Sequence, residues 1–399
     1  GKNPGPVHLN FPFREPLISE DKEPFVTDLP AITPALHSRP DESLSRTSEI
    51  LGELGSCKCL LVIAGEHAPL ETFSKWNHPQ SPPILCDSLS PLRETPYPTR
   101  ILRFENLLRN DGFRQKAQPD AILQLGPLPT SKTLRKWIGK QNVPRIIIEP
   151  RGKNVDPLTN PSRSFDLNYE LIPSLGLPEC EKEWSDLWVQ SEKQIEEKLD
   201  FFFSDETDWF EGKLARMLST HLPKGSQLYV ANSMPIRDLE WFWKGSDLGR
   251  SLFGNRGVNG IDGTLGTALG LAHDSQKPSF LLTGELAFLH DSNALLASRQ
   301  FFGNLTVFLV NNQGGGIFEN LPVAELPAFE KCFATPQDCN FKMLCEAHGV
   351  EHYQPDNWNA LIELIESSPP SGIRVIEIRT DRKKDRDTRL ELLGFGPDS

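Results

Sequence analysis

Two stretches of the sequence decide the fold: SFLLTGELA at residues 279–287 and LTVFLVNNQGGG at residues 305–316. Each begins as a short run of apolar residues and ends in polar residues and glycine. Runs of this length are typical of strands that are buried on both faces of a parallel sheet. Because the carboxyl ends of parallel strands meet at one edge of a sheet, where ligands bind, we expect the two turns to lie together.

The two turns carry oxygen donors. Glu285 supplies a carboxylate, Asn312 an amide oxygen and Gly314 a backbone carbonyl. Such hard ligands suit Mg²⁺ better than zinc, and protein-bound Mg²⁺ usually keeps part of its coordination shell for a phosphate. The turns therefore indicate a magnesium–diphosphate site that glycines allow the ligand to approach closely. The alternative is a pair of ordinary turns, because Gly and Asn are common turn residues.

The rest of the chain alternates strand-sized apolar runs with helix-like segments, which predicts an α/β protein with two doubly wound parallel-sheet domains. The predicted units are a proline-rich linker (1–50), a central domain (51–200), a second domain (203–385) and a tail (386–399). A helix that carries Trp184 and Trp188 is expected to close the central domain. A further helix is predicted near 291–302, and the charged segment 381–389 is predicted to be a solvated face.

Composition excludes several classes of function. The 399 residues are 38% hydrophobic and 24% charged, as in ordinary globular proteins, and no apolar run approaches the ~18 residues of a membrane span. The net charge of −12 argues against a nucleic-acid partner. The seven cysteines lack zinc spacing and fit a reducing compartment. The segment GPLPTSKT (126–133) nearly matches a phosphate-binding loop, but Ser131 replaces the second glycine, so nucleotide hydrolysis is not predicted.

Spacing and longer segments carry a family resemblance. Glu285 and Asn312 are 312 − 285 = 27 residues apart, which resembles the thiamine-diphosphate motif, although most members have Asp at the first position and many have Gly where Leu286 stands. The chain is also similar to the MenD family, thiamine-diphosphate synthases that join 2-oxoglutarate to isochorismate in menaquinone or phylloquinone biosynthesis. The similar segments are GPVHLNFPFREPL (5–17), ANSMPIRD (231–238), GNRGVNGIDGTLGTALGLA (254–272) and VNNQGGGIFENLP (310–322).

The resemblance implies roles for individual residues. The implied ligands of Mg²⁺ or Mn²⁺ are Glu285, Asn312 and the Gly314 carbonyl. The implied contacts to thiamine diphosphate are these three residues with Gly284, Leu286, Ile261 and Ile317, and the implied substrate contacts are Ser233, Arg237, Arg256 and Phe318. Planar Arg is a natural partner of the carboxylates in both substrates. The alternatives are surface ion pairs for the two arginines and simple packing for the apolar residues.

The resemblance also implies that the glutamate that activates the cofactor belongs to an N-terminal domain preceding Gly1. We therefore predict no catalytic residue in this chain, weak cofactor binding and no turnover by the chain alone. The full-length enzyme is expected to be a cytoplasmic or plastid homodimer or homotetramer with no nucleic-acid or membrane partner. Two alternatives stay open, namely another thiamine-diphosphate 2-oxoacid decarboxylase or synthase, and a non-catalytic module of the same fold. The pair Arg237 and Arg256 argues against the first, and Glu285 in place of Asp favours the second.

Overall fold

The computed structural model describes residues 48–50, 52–66, 68, 73, 78–150, 154–169, 178–367, 369 and 371–398. The predicted linker over 1–50 therefore lies outside the described residues, apart from a helical turn at 48–50. Within the described part of the chain, no helix is both long and apolar enough to cross a membrane.

The first sheet has six parallel strands in the order β3-β2-β1-β4-β5-β6. The strands are β1 (Leu60–Ala64), β2 (Ile84–Cys86), β3 (Arg100–Ile101), β4 (Ala121–Leu125), β5 (Arg145–Ile148) and β6 (Arg163–Phe165). Every residue of the central strands β1 and β4 is buried, which is why their sequences are continuously apolar rather than alternating. The α-helices of this part are Phe104–Arg109, Asp111–Lys116, Lys132–Ile138 and Lys182–Asp205.

The second sheet also has six parallel strands, in the order β11-β12-β10-β9-β7-β8. The strands are β7 (Gln227–Val230), β8 (Ser251–Phe253), β9 (Ser279–Gly284), β10 (Asn304–Asn311), β11 (Glu351–Tyr353) and β12 (Gly372–Arg379). The α-helices are Glu211–His221, Met234–Phe242, Thr264–Ala272, Glu285–His290, Phe341–Ala347, Trp358–Glu366 and Arg382–Leu393. The predicted α/β class with two parallel sheets is confirmed.

The predicted tryptophan helix is confirmed and extends over Lys182–Asp205. Trp184 and Trp188 are four residues apart and so lie on the same helix face, with ring centroids 5.9 Å apart. Trp188 is fully buried and makes an edge contact with Phe113 at a centroid distance of 4.9 Å. The helix thus covers the first sheet and completes its core.

The helix predicted near 291–302 differs from the structure. An α-helix spans Glu285–His290, and a 3₁₀-helix follows over Ser292–Gln300. Leu295 is buried, whereas 71% of the neighbouring Leu296 is exposed, so this segment offers only a narrow apolar face. An α-helix in a protein is stabilised mainly by packing of its apolar face. The narrow apolar face of this segment therefore explains why it forms a short α-helix and a 3₁₀-helix instead of one long α-helix.

The prediction of a solvated face at 381–389 holds for one side of this segment, where Lys383, Lys384 and Asp387 are exposed, and is wrong for the other. Helix Arg382–Leu393 runs through the predicted boundary at residue 385, and only 1% of Asp385 and of Arg389 is exposed. Arg389 donates hydrogen bonds to both carboxylate oxygens of Asp238, at 2.6 and 2.7 Å, which compensates for the burial of the charge. Leu392 is fully buried in the core of the first sheet, so this helix joins the two parts of the fold.

A buried contact holds the two sheets in a fixed relation. The Arg93 guanidinium, before β3, donates to the carbonyls of Leu239 and Glu240 at 3.2 and 3.1 Å. Glu94 accepts a 2.7 Å hydrogen bond from the Trp243 indole. The two Arg93 bonds reach carbonyls in the last turn of the helix Met234–Phe242, where backbone carbonyls need partners from outside the helix.

Candidate functional site

The register of the second sheet brings the two turns together, as expected. Gly284 at the end of β9 pairs with Val310 near the end of β10, so the chain leaves both strands at the same edge. The Glu285 carboxylate reaches the second turn and accepts a hydrogen bond from the Gly314 amide at 2.5 Å. The longer side chain of Glu, compared with Asp, is accommodated by this contact.

The two consecutive asparagines have different environments. The Asn311 amide nitrogen donates to Glu377 on β12 at 2.8 Å, which makes Asn311 a link between strands. The Asn312 amide nitrogen donates to Glu211 at 2.6 Å, and its buried oxygen Oδ1 has no hydrogen-bond partner among the described residues. The Asn311 oxygen is likewise buried without a partner among the described residues, but of the two only Asn312 lines a cavity. Buried polar atoms are nearly always satisfied, so an unpartnered oxygen on a cavity wall is suited to binding a ligand.

The donor set fits a small divalent cation. Glu285 offers a carboxylate, Asn312 an unpaired amide oxygen, and the Gly314 carbonyl accepts one bond, from the Gly316 amide at 2.9 Å, leaving a second lone pair. Among the described residues there is no group of three His, Cys, Asp or Glu side chains that could hold a metal. A cation here would therefore rely on carbonyl and amide oxygens, which is typical of Mg²⁺ rather than zinc.

Glu285 is buried, with only 2% of the residue exposed. Burial raises the pKa of its carboxyl group to about 7, although the Gly314 amide acts in the opposite direction. A neighbouring cation would favour the ionised form, because opposite charges within a few ångströms lower a carboxyl pKa.

A cavity of about 620 Å³ opens at this edge of the sheet. Its wall contains all of the residues predicted from the sequence: Ser233, Arg237, Arg256, Ile261, Gly284, Glu285, Leu286, Asn312, Gly314, Ile317 and Phe318. They come from four separate segments of the chain. A single cavity of this size matches the volumes of small-molecule sites in proteins.

Arg237 and Arg256 make no ion pair with any described residue, so the ion-pair alternative is not supported there. Arg256 donates to the Thr130 hydroxyl at 2.8 Å and to the Asn232 side chain. Arg237 donates to the Ser233 carbonyl at 2.6 Å. Burial lowers the pKa of Arg237, and so does the positive charge of Arg256. Glu240 and Asp238 act in the opposite direction on the pKa of Arg237, but neither forms an ion pair with it. Two neighbouring guanidinium groups without a direct ion pair are suited to an anionic ligand.

The backbone at the site is strained. Ser233 has φ 73° and ψ −130°, a region that glycine favours, and Gln313 has φ 61°. Such conformations cost about 1–3 kcal/mol each and persist where the surroundings enforce them, often at binding sites.

Other residues of the cavity wall were not predicted from the sequence, among them Thr130, Lys132, Arg135 and Glu211. Thr130 and Lys132 belong to the segment that resembles a phosphate-binding loop, and Arg135 lies in the helix Lys132–Ile138. Glu211 is the first residue of the helix Glu211–His221. Lys132 and Arg135 also lack an ion pair among the described residues, which adds two positive charges to the wall. These residues could have been predicted from the position of their loop, which follows the carboxyl end of a parallel strand, where ligands bind.

Comparison with known proteins agrees with this geometry. Residues 61–230 match the family described as "Middle domain of thiamine pyrophosphate", and residues 241–378 match "Thiamine pyrophosphate enzyme, C-terminal TPP binding domain". The fold and the site thus define a thiamine-diphosphate enzyme.

Individual relatives identify the family within this class of enzymes. The chain is 38% identical to the 2-succinyl-5-enolpyruvyl-6-hydroxy-3-cyclohexene-1-carboxylate synthase of Trichodesmium erythraeum, over 98% of this chain and 70% of that protein. It is 39% identical to the synthase of the same name from Synechococcus elongatus, over 97% of this chain and 68% of that protein. A Nostoc synthase is 38% identical over 99% of this chain and 71% of that protein. The chain belongs to this synthase family, which confirms the resemblance read from the sequence.

Proposed function

We propose that the chain binds thiamine diphosphate through a divalent cation and uses the adjoining cavity to make the product after which its relatives are named. The proposed reaction is the decarboxylative addition of 2-oxoglutarate to isochorismate. The observation that carries the proposal is the junction of the two turns, where Glu285 contacts Gly314 and the Asn312 oxygen lacks a partner.

The proposed cation site would hold Mg²⁺, or Mn²⁺, between Glu285, Asn312 and the Gly314 carbonyl. Thiamine diphosphate supplies the electron sink that lets a 2-oxo acid lose CO₂, and the protein supplies orientation and charge matching. Gly284 and Leu286, on either side of Glu285, would lie along the cofactor. A cation bound by uncharged oxygens and one carboxylate keeps a positive charge, which suits a diphosphate.

The proposed substrate contacts are Ser233, Arg237 and Arg256, joined by Lys132 and Arg135. The three arginines and Lys132 form no ion pair among the described residues. Their charged groups are therefore available to bind the carboxylates of both substrates. A neutral acceptor would not require them, which favours a polycarboxylate reaction over the decarboxylase alternative. Each arginine can hold a carboxylate in a fixed orientation through two parallel hydrogen bonds.

The apolar wall has a separate role in the proposal. Ile261, Ile317 and Phe318 are each partly buried and line the same cavity. We assign Ile261 and Ile317 to the cofactor side and Phe318 to the substrate side. Apolar walls exclude water and so strengthen the electrostatic interactions inside the cavity.

We propose that no carboxylate on the wall of this cavity transfers a proton to the cofactor ring. Glu211, Asp238 and Glu285 are the acids on the cavity wall, and all three accept hydrogen bonds from Asn312, Arg389 or Gly314. We therefore propose that the chain alone forms no product and that the active assembly is a homodimer or homotetramer. Product formation by the purified 399-residue chain would contradict this part of the proposal.

Calorimetric titration with thiamine diphosphate and Mg²⁺ tests the binding proposal. We expect Glu285→Gln, which removes the charge but keeps the shape, to abolish the Mg²⁺-dependent part of cofactor binding. His290→Ala is a matched control, because His290 ends the same short helix, is exposed and does not line the cavity. Equal Mg²⁺-dependent binding by wild type and Glu285→Gln would overturn the proposed cation site.

A further inference from the structure

The Asn312 amide is oriented by one neighbour. Its nitrogen donates to Glu211 Oε1 at 2.6 Å, and both residues are buried, with 8% and 5% exposed. The nitrogen and oxygen of an asparagine amide have nearly the same size, so packing alone does not distinguish its two orientations. An ionised carboxylate only accepts hydrogen bonds and therefore requires the nitrogen on its side. The oxygen of Asn312 is consequently turned away from Glu211.

Glu211 is itself fixed by the helix Arg382–Leu393. Arg389, which is 1% exposed, donates to the second oxygen of Glu211 and to both oxygens of Asp238. The Thr380 hydroxyl donates to Oε1 of Glu211 at 3.2 Å. With Arg389 on one carboxylate oxygen and Thr380 on the other, the Glu211 side chain is held with Oε1 facing the Asn312 amide.

We propose that Glu211 is a positioning residue, held by Arg389, that turns the Asn312 oxygen toward the divalent cation. This inference rests on the proposed function, because it assumes that Asn312 is a ligand. Groups that orient a metal ligand through a hydrogen bond commonly change metal affinity by about 10–100-fold when they are removed.

A purely structural role for Glu211 makes a different prediction. Glu211 is the first residue of helix Glu211–His221, where a negative charge favours the helix, and it forms a buried ion pair with Arg389. If that were its whole contribution, its replacement would lower the stability of the chain without a selective effect on cation binding.

The test is Mn²⁺ titration of the chain in the presence of thiamine diphosphate, by calorimetry and by electron paramagnetic resonance of free Mn²⁺. Glu211→Gln keeps the shape but can donate as well as accept, so the Asn312 amide is no longer forced into one orientation. We expect Mn²⁺ affinity to fall about tenfold or more. Glu94→Gln is the control, because Glu94 forms a buried 2.7 Å ion pair with Arg250 and does not line the cavity. It should lower the melting temperature and leave Mn²⁺ affinity unchanged.

A second background makes the test specific for orientation. In Asn312→Asp, both side-chain oxygens are equivalent and one faces Glu211 as a like charge. Adding Glu211→Gln then supplies a donor, so Mn²⁺ affinity should stay the same or rise. We thus expect Glu211→Gln to lower Mn²⁺ affinity in the wild-type chain but not in Asn312→Asp. A purely structural role of Glu211 would give the same change in both.

The outcomes separate the two levels of the argument. A tenfold or greater loss in wild type that disappears in Asn312→Asp supports the inference. Mn²⁺ binding that Glu211→Gln leaves unchanged, or weakens equally in both backgrounds, overturns the inference while the proposed cation site stands. A lack of saturable Mn²⁺ binding by the folded wild-type chain overturns the proposed function and the inference together.

Discussion

Substitution of Gly314 by alanine tests how tightly the second turn is built. Gly314 has φ 139°, a conformation that residues with a side chain rarely adopt. A Cβ atom there would lie 2.6 Å from the Ala334 carbonyl oxygen, and that oxygen already accepts a 2.7 Å hydrogen bond from the Gly315 amide. The contact is with backbone, so a side-chain rotation does not relieve it.

The magnitude follows from two contributions. The backbone conformation costs about 1–3 kcal/mol for a residue with a side chain, and loss of the bond to the Ala334 carbonyl adds about 1 kcal/mol. We therefore expect Gly314→Ala to lower the free energy of unfolding by about 2–4 kcal/mol. Because the Gly314 amide donates to Glu285, movement of the turn should also weaken Mg²⁺-dependent binding of thiamine diphosphate.

The assay is urea unfolding followed by circular dichroism, with a parallel calorimetric titration of the cofactor. Gly270→Ala is the control, because Gly270 lies in helix Thr264–Ala272 and an added Cβ there meets no atom within 4 Å. Alanine is favoured over glycine in helices by about 1 kcal/mol, so this variant should be at least as stable as wild type. The reasoning is refuted if Gly314→Ala unfolds at the wild-type urea concentration and retains wild-type cofactor affinity.

Three further predictions concern charge and packing. If Arg237 and Arg256 bind carboxylates, then 2-oxoglutarate should raise the melting temperature of wild type and of the control Arg299→Met, but not that of Arg256→Met, in a thermal-shift titration. Burial, with Asp87 and Glu105, raises the pKa of Glu240 to about 8. The folded chain therefore favours the neutral form of Glu240, and its free energy of unfolding should fall as pH rises from about 4.5 to 8. In urea unfolding, Glu240→Gln should be more stable than wild type at pH 8, and this difference should become smaller toward pH 5. Leu392→Ala should lower the free energy of unfolding by about 2–5 kcal/mol, because a fully buried leucine is removed from the core; a loss below about 1 kcal/mol would show that the last helix is not packed as described.

The sequence predicts the central part of the site because that part depends on local signals. Apolar runs form β9 and β10, which are adjacent parallel strands. A polar turn directly follows each strand. The residues on the cavity wall then follow from where the strands end. Spacing between Glu285 and Asn312 could be read directly, so the junction of the two turns was predictable without coordinates.

Other features depend on contacts between distant residues and could not be predicted in this way. Arg389 is buried because Asp238 and Glu211, more than a hundred residues earlier, surround its guanidinium. In the sequence it is one charge in a mixed segment, which is typical of a solvated surface. Edge strands of two or three residues, such as β3, are defined by pairing with a neighbour and carry too few residues for a pattern.

The helix after β4 shows a third kind of limit. The sequence excludes a nucleotide loop at residues 126–133 because Ser131 replaces the second glycine, and it assigns no role to Lys132. In the structure, Ser131 instead caps the helix by accepting a 2.9 Å hydrogen bond from the Leu134 amide, and the lysine that follows faces the cavity. Excluding one function for a segment did not exclude another.

The proposed function requires one divalent ion bound jointly by the two turns. Its most direct test is anomalous diffraction at the manganese edge from crystals of the chain grown with Mn²⁺ and thiamine diphosphate. The prediction is a single peak about 2.1 Å from a Glu285 oxygen, Asn312 Oδ1 and the Gly314 carbonyl oxygen. A manganese peak at another place would contradict this prediction, if the Glu285 carboxylate still accepted its hydrogen bond from the Gly314 amide and Asn312 Oδ1 bound no metal.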